Sequence, residues 1–187
     1  SGQRIREEFH IPQDAPLLSH VSRLDDSRAL VARQLVEIAP ALAQQIPELR
    51  ILIVGGGDVY DEILEKARKV NQRLGYDCVL MPGGRTDINE VVAAGKVFVG
   101  VSRAALEAMA AAKPVIVAGN EGYIGLFEKS KLELAQENNF CCRGCPASEE
   151  EQLKADILAV MKEPEQRLQD LGAYGREVIL QHYSVQR

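Results

Sequence analysis

The stretch 97-VFVGVSRAALEAMAAAKPVIVA-118 decides the fold, because two short apolar runs enclose one alanine-rich segment. The runs at 97–101 and 114–118 are rich in valine and too short for helices, whereas 103–112 suits a helix. Apolar strands without clean alternation are typical of a parallel sheet that is covered on both faces. The stretch therefore predicts a β-α-β unit around a buried sheet.

The same alternation of strand and helix extends along the chain. Further strands are expected at 17–22, 50–55 and 78–82, with helices at 27–46, 58–74, 87–94, 149–162 and 164–182. After Gly119 the pattern weakens, and we expect a loop and a helix over 121–135 and an edge strand at 139–142. The rhythm predicts an α/β fold: a single three-layer Rossmann-like domain over residues 1–187, with a parallel β-sheet flanked by helices.

The composition narrows the range of partners. With 187 residues, 46% hydrophobic and 26% charged, the chain fits one soluble domain. Its net charge of −5 gives no basic surface for nucleic acid, and no apolar run reaches the roughly 18–20 residues of a membrane span. Four unevenly spaced cysteines indicate a reducing compartment, so we expect a cytoplasmic protein. The polar start, Ser1-Gly2, is typical of a tag remnant and suggests a piece of a longer chain.

In such a sheet, ligands bind beyond the carboxyl ends of the strands, so the loops at that edge form the candidate site. The first of them is 22-SRLDDSR-28. The guanidiniums of Arg23 and Arg28 can converge on a phosphate, because each makes two charge-assisted hydrogen bonds. The alternative is that both pair with Asp25 and Asp26 on the surface.

Glycines mark three more of these loops. In 54-VGGGD-58 the third glycine of the dinucleotide fingerprint is missing, so we favour a tight structural turn over a phosphate site. The loop 82-PGGRTD-87 is either a simple turn or a surface on which peptide groups read a flat base. The loop 119-GNEGYIG-125 is either a mobile cover for a ligand or a connector to the next helix.

The helix that begins near Arg103 carries one carboxylate, Glu107, about one turn from its start. Peptide N–H groups at Arg103, Ala104 and the next two residues can face an anion. A carboxylate in that position can accept two hydrogen bonds from a vicinal diol such as a ribose. The alternative is a glutamate that the helix dipole favours.

Neither the cysteines nor the histidines predict a metal or hydrolytic centre. The run 140-FCCRGC-145 offers three thiols without the spacing or fourth ligand of a zinc site, so we expect no metal. His20 lies near the end of the first strand, where a packed core histidine is favoured over one that reaches the cleft. No serine-type triad is supported.

Four segments together resemble the C-terminal, donor-binding half of a GT-B-fold glycosyltransferase, closest to glycosyltransferase family 4 (group 1). The segment 106-LEAMAAAKPVIVAGNEG-122 is similar to the family pattern L-E-A-M-A-x-G-x-P-V-I-A followed by G-G, and it is the most specific match. The other three segments are 9-FHIPQDAPLLSHVSRLDDSR-28, 50-RILIVGGG-57 and 176-REVILQHYS-184.

The resemblance implies that this half binds a nucleotide diphosphate sugar, linked to UDP or GDP, with no further cofactor. It also implies a parent enzyme that transfers a hexosyl group to an acceptor. With the helix N–H groups added, the implied site residues are Arg23, Arg28, Arg103 and Ala104 for the diphosphate, Glu107 for the ribose, Gly84 and Arg85 for the base, and Glu121 and Gly122 for the donor-sugar loop.

The chain departs from the family pattern ahead of Glu107. The family often has a second glutamate there, but this region holds Val99, and a glycine-containing segment looks deleted between Ser102 and Glu107. That spacing is also similar to GT-B-fold UDP-N-acetylglucosamine 2-epimerases, so an epimerase domain and a non-catalytic Rossmann-like module are the alternatives. The acceptor-binding domain, with any peripheral membrane contact, would precede Ser1, and we expect this piece to bind a donor without turnover.

Overall fold

The computed structural model describes residues 2–183, which build one six-stranded sheet with helices on both faces. The strands are β1 (Leu17–Val21), β2 (Arg50–Val54), β3 (Val79–Gly83), β4 (Val97–Gly100), β5 (Val115–Gly119) and β6 (Gly122–Leu126). The α-helices are α1 (Gln3–Glu8), α2 (Leu30–Gln45), α3 (Tyr60–Leu74), α4 (Ile88–Ala94), α5 (Ser102–Ala110), α6 (Leu132–Glu137), α7 (Glu150–Met161) and α8 (Glu165–His182). A 3-10 turn at Lys129–Lys131 precedes α6.

The sheet confirms the predicted doubly wound α/β architecture. Five strands run parallel in the order β3-β2-β1-β4-β5, and β6 pairs antiparallel with β5 at the edge. The chain winds outward from β1 to β3 and then returns to place β4 on the other side of β1. Because the winding direction reverses there, the loops that leave β1 and β4 turn apart and leave a crevice.

Helices on the two faces make the fold three layers thick. On one face α2, α3 and α7 pack together over strand residues such as Leu18, Ile53 and Val99, which are fully buried. On the other face α1, α4, α5 and α8 cover Leu52 and Phe98, which are equally buried. Successive strand residues point to opposite faces, so strands covered on both sides have to be apolar throughout.

The loop expected at 119–125 is instead a β-hairpin, so the prediction of a mobile cover is wrong. Strands β5 and β6 pair directly, and only Asn120 and Glu121 lie between them. The glycines serve close packing: a Cβ at Gly122 would lie 2.3 Å from the carbonyl oxygen of Cys142. Gly122 is therefore a buried strand residue rather than a hinge.

The edge strand expected at 139–142 is also wrong. Asn139 and Phe140 have φ angles of +55° and +62°, which a strand does not allow. The segment is a tight turn that packs beside the hairpin, and its apolar residues serve the core: Phe140 is fully buried and its ring lies 5.2 Å from that of Phe127. The segment is apolar because it is buried, although its backbone is a turn. Its composition therefore led to the wrong prediction of a strand.

Most helix limits lie within one or two residues of the predicted ones, but one start differs by three residues. The first long helix begins at Leu30 rather than residue 27, because Asp25 closes a turn by accepting hydrogen bonds from the peptide N–H of Arg28 and the hydroxyl of Ser27. Helix α1 had no counterpart in the sequence analysis. The predicted closing segment 176–184 belongs to α8 as far as His182, where the helix ends. Residue 184 lies outside the described residues.

The three glycines after β2 form the structural turn that the sequence favoured. The peptide N–H of Gly55 donates to the carbonyl of Gly83, and the N–H of Leu24 donates to the carbonyl of Gly56. Gly55 has a φ of +147°, and a Cβ there would lie 1.8 Å from the carbonyl oxygen of Ser22. The turn thus fixes the loop after β1 against the loop after β3.

Replacing Gly55 with alanine is expected to lower the free energy of unfolding by roughly 2–4 kcal/mol, since the new methyl group meets backbone and the φ angle is strained. Urea unfolding measures the change. Gly84→Ala is the matched control, because a Cβ at Gly84 meets nothing within 4 Å. Equal stability of the two variants would contradict the packing described for this turn.

Candidate functional site

The topological switch point, which we call the crevice, lies where β1 and β4 end side by side. Their pairing places His20 opposite Val99, and the chain then leaves β1 at Ser22 and enters α5 at Ser102. The loop with Arg23 and the start of α5 are therefore neighbours at one sheet edge. This edge is where parallel sheets bind ligands.

The two arginines of the first loop differ in the hydrogen bonds and ion pairs that their side chains make. Arg23 is exposed and makes no hydrogen bond or ion pair within residues 2–183. Arg28 forks onto Asp25, with Nε and Nη2 at 2.9 and 2.6 Å from Oδ2, and this hydrogen bond lowers the pKa of Asp25. Asp26 pairs with Arg33 instead. In the absence of a ligand, Arg28 is therefore held in a surface ion pair with Asp25, as the alternative interpretation expected. The guanidinium of Arg23 is available to bind an anion.

The start of α5 offers two peptide donors. The N–H of Ser102 donates to the carbonyl of Phe140 at 2.7 Å, and the N–H of Ala105 donates to that of Val101. Between them, the N–H groups of Arg103 and Ala104 have no acceptor among the described residues. They stand at the positive end of the helix and suit an anion.

Glu107 is half-buried and carries an unusual atom. Its Oε2 is fully buried, and no donor in the described part of the chain reaches it. The only comparable atom in residues 2–183 is the hydroxyl of Ser19, inside β1. Burying a polar atom without a partner costs about 1–3 kcal/mol. A helix-dipole role alone does not explain this burial, and a ligand hydroxyl would supply the missing donor once the Glu107 side chain turns to expose Oε2.

A hydrogen-bonded histidine lies under the crevice, where the sequence predicted only core packing. The ring of His20 is buried, with Nδ1 2.7 Å from the carbonyl of Val99 and Nε2 2.9 Å from the hydroxyl of Ser22. Burial lowers the pKa of His20 to about 4, so the ring is neutral. Since a carbonyl only accepts, Nδ1 carries the proton and Ser22 donates to Nε2. The pair joins the ends of β1 and β4.

The loop after β3 holds Gly84 and Arg85 at an open cavity of about 710 Å³. Gly84 is exposed, whereas the Arg85 side chain is only 16% exposed and binds Glu8 and Asp87. The hydrogen bond that Arg85 donates to Asp87 lowers the pKa of the Asp87 carboxyl to about 2. The side chain of Arg85 is thus engaged within the protein, whereas Gly84, which has no side chain, lines the cavity with its backbone.

A second cavity, of about 660 Å³, opens beside the start of α5. Its lining includes Ser102, Arg103, Leu106, Asn139 and Arg143. Neither this cavity nor the one at Gly84 is lined by Arg23, Arg28 or Glu107. In sheet order, the loop that carries Arg23 lies between the two.

The predicted donor-sugar residues lie next to that second cavity rather than in a loop of their own. Glu121 sits in the turn between β5 and β6, and its Oε1 is 2.8 Å from Nε of Arg143, which lines the cavity. Gly122 is buried. Only Glu121 of this pair has a side chain that can reach a ligand.

The cysteines show no metal-binding geometry. Among the described residues, no cluster of three or more His, Cys, Asp or Glu side chains is arranged to hold a metal ion. All four thiols are free, and burial raises the pKa of Cys142 to about 12. No helix within residues 2–183 is long and apolar enough to cross a membrane.

Comparison with protein families gives one match that covers most of the chain. The model for the family described as "Glycosyl transferases group 1" matches residues 15–162. Among curated proteins, the putative glycosyltransferase EpsD of Bacillus subtilis (strain 168) is 30% identical over 131 residues, which are 65% of this chain and 32% of EpsD. The chain therefore spans about a third of the length of this relative.

Solved structures share the fold. The crystal structure of Anabaena HepE in complex with UDP and glucose superposes with a TM-score of 0.68 at 21% identity, over 97% of this chain and 48% of HepE. A mutant of S. aureus TarM in complex with fondaparinux, alpha-GlcNAc-glycerol and UDP gives a TM-score of 0.67 at 20% identity, over 94% of this chain and 34% of TarM. At such identities the likeness concerns the fold alone.

The neutral, buried His20 predicts a pH-dependent stability. Because its folded pKa of about 4 lies below the ordinary value of 6.5, its contribution is complete above pH 6.5 and is lost as the pH falls towards 4. From pH 7.5 to pH 5, this residue should account for roughly 2 kcal/mol of lost unfolding free energy. Urea unfolding of His20→Asn, whose amide can keep the bond to Val99, should show a smaller loss. An unchanged pH dependence would contradict a neutral buried ring.

The unpartnered oxygen of Glu107 predicts a stabilising substitution. Glu107→Gln removes a poorly solvated charge and is expected to raise the free energy of unfolding by about 1 kcal/mol without ligand. Glu137→Gln, on the exposed end of α6, is the control and should change stability by less than about 0.5 kcal/mol. Destabilisation by Glu107→Gln would show that the carboxylate has a structural partner.

Proposed function

The chain belongs to the group 1 glycosyl transferase family, and from that premise we propose that it is the nucleotide-sugar donor-binding domain of a glycosyltransferase. The full-length parent transfers a hexosyl group from a nucleotide diphosphate sugar, linked to UDP or GDP, to an acceptor. The chain by itself binds the donor and is inactive in transfer.

The buried Oε2 of Glu107 is the observation that carries the proposal. A vicinal diol supplies two O–H donors to one carboxylate, which would satisfy this atom and its neighbour Oε1. A ribose has such a diol, and its phosphate substituent would then lie near the start of α5. There the N–H groups of Arg103 and Ala104, which have no acceptor among the described residues, would donate hydrogen bonds to a diphosphate.

The length of the crevice supports an extended nucleotide. Three interstrand steps of about 4.8 Å separate β3 from β4, so the loops that leave these two strands start roughly 14 Å apart along the sheet edge. A base at Gly84 and a sugar beside Arg103 would place the pyrophosphate between them, near the loop of Arg23. One ligand then uses both cavities and the cations between them.

Arginines and helix N–H groups would also provide the chemistry of the parent. Cleavage of the bond to the sugar leaves a nucleoside diphosphate with growing negative charge. Arg23, and Arg28 once it shares or leaves Asp25, stabilise that charge together with the N–H groups of α5. These groups supply the positive charge for which other enzymes use a metal, so the proposal requires no cofactor.

The acceptor side belongs to a part of the parent outside this chain. The chain spans 32% of EpsD and 48% of HepE, so we propose that an N-terminal acceptor-binding domain completes the active cleft. Any peripheral contact with a membrane is assigned to that domain, and the parent is proposed to be cytoplasmic. Without the acceptor domain the donor has no partner in transfer.

A UDP-sugar 2-epimerase domain is the second candidate. Only five positions separate Ser102 from Glu107, which is the spacing shared with the GT-B-fold epimerases. The start of α5 would bind a diphosphate in either enzyme, so nucleotide binding does not separate the two. Product analysis on the full-length parent does, because transfer needs an acceptor and releases a nucleoside diphosphate, whereas epimerisation inverts a centre of the sugar.

Removing either crevice charge should weaken nucleotide binding. Arg23→Gln and Glu107→Gln are each expected to reduce the affinity for the preferred nucleoside diphosphate about tenfold or more, since each deletes charge-assisted hydrogen bonds. Calorimetric titration with UDP, GDP and ADP measures the affinities. Arg68→Gln is the control: Arg68 is exposed on α3 and 3.9 Å from Glu65.

If no nucleotide binds the wild-type chain, the donor-binding role is wrong and a non-catalytic module remains. If nucleotide binds but neither crevice variant weakens it, the ligand occupies a different surface and the assignment of these residues is wrong.

A further inference from the structure

We propose that Glu8, on α1, is a positioning residue for base recognition, because it holds Arg85 so that the backbone of residues 83–86 forms a fixed surface for the nucleobase. The inference rests on the donor-binding role proposed above and extends it to a helix that precedes the sheet. It assigns base selectivity to peptide groups, and the rigidity of those groups to a salt-bridge network.

The guanidinium of Arg85 has almost no capacity left for a ligand. It has five N–H donors, and four of them are used within the protein. Nη1 and Nη2 lie 2.6 and 2.9 Å from the two carboxylate oxygens of Glu8. Nε and Nη2 lie 2.8 and 2.9 Å from those of Asp87. The guanidinium also lies 5.4 Å from the centre of the Phe9 ring, so its plane is fixed on three sides.

The network ties α1 to the loop from both ends of the helix. Arg4 contacts Asp87 at 3.0 Å and Glu90 at 3.2 Å, one helical turn before Glu8. Between these charges Ile5 is fully buried against the core of the same face. Partly exposed ion pairs add little stability each, but a bidentate fork fixes geometry. The network therefore acts mainly on the shape of the loop.

The loop presents an open backbone surface. Gly83 has a φ of +96°, and a Cβ at Gly83 or Gly84 would meet nothing within 4 Å. The carbonyl of Gly83 accepts from Gly55, which sets the orientation of the turn. The peptide N–H groups of Gly84, Arg85 and Thr86 have no acceptor within residues 2–183. A flat base can approach this surface and be read by its pattern of donors and acceptors.

Of the two carboxylates that hold Arg85, Glu8 is the one that comes from outside the loop and its helix. Asp87 lies two residues from Arg85 and moves with it, whereas Glu8 is 77 residues away. Loss of Glu8 would free one side of the guanidinium and let the turn relax. Base selectivity should then fall, while the binding of the diphosphate at α5 stays the same.

The test is calorimetric titration of Glu8→Gln in the full chain with UDP, GDP, ADP and inorganic pyrophosphate. The variant should bind the preferred nucleotide about fivefold more weakly, with a smaller preference over the other two and unchanged pyrophosphate affinity. Arg85→Lys, which keeps the charge without the fork, should behave the same. Glu7→Gln is the control on the same helix: within residues 2–183 the Glu7 side chain accepts only from Gln3, at 3.3 Å, and this variant should match the wild type.

Three results would overturn the inference. In the first, Glu8→Gln keeps the full nucleotide selectivity. In the second, it weakens pyrophosphate and nucleotides by the same factor, which shows damage to the whole domain. In the third, the wild type binds pyrophosphate but does not distinguish the bases. If the wild type binds neither, the donor-binding proposal itself is wrong, and this inference with it.

Discussion

The parallel pairing of β1 with β4 is the constraint on which the candidate site depends. It brings together two loops that are about 80 residues apart in the chain, one with Arg23 and one that begins α5. The hydrogen bond from His20 to the carbonyl of Val99 adds a side-chain link at the same point. Because the winding of the chain reverses there, no connection crosses the sheet edge, and the crevice stays open.

Packing around the crevice fixes one side and leaves atoms unsatisfied on the other. The glycine turn after β2 binds the loops after β1 and β3 through backbone hydrogen bonds. On the opposite side, the carbonyl of Phe140 accepts from the first N–H of α5, and the next two N–H groups have no acceptor in the described part of the chain. The buried Oε2 of Glu107 belongs to this unsatisfied side. The buried oxygen costs stability without a ligand, and its position one turn from N–H groups that suit an anion is informative about function.

Local patterns were sufficient to predict the sheet, because strands buried on both faces have to be apolar at every position. The same rule failed after Gly119. Gly122 and Gly125 suggested mobility but belong to β6, and the apolar run around Phe140 suggested a strand but is a buried turn. In both cases tertiary packing determined the backbone conformation. The sequence of one segment does not show which distant residues will pack against it.

The site residues divide in the same way. Arg23 and Glu107 could be named from loop position and residue chemistry, because the sheet fixes where its loops meet. The pairing of Arg85 with Glu8 and the bond of His20 to Val99 could not, since each joins residues more than 70 positions apart. Nothing in the local sequence distinguishes a buried carboxylate oxygen with a partner from one without.

A crystal structure of the chain with bound UDP or GDP tests the central claim most directly. The account predicts that Oε2 of Glu107 accepts a hydrogen bond from a ribose hydroxyl and that the diphosphate contacts the N–H groups of Arg103 and Ala104. A nucleotide bound elsewhere on the sheet edge, with Oε2 of Glu107 still unpaired, would contradict it.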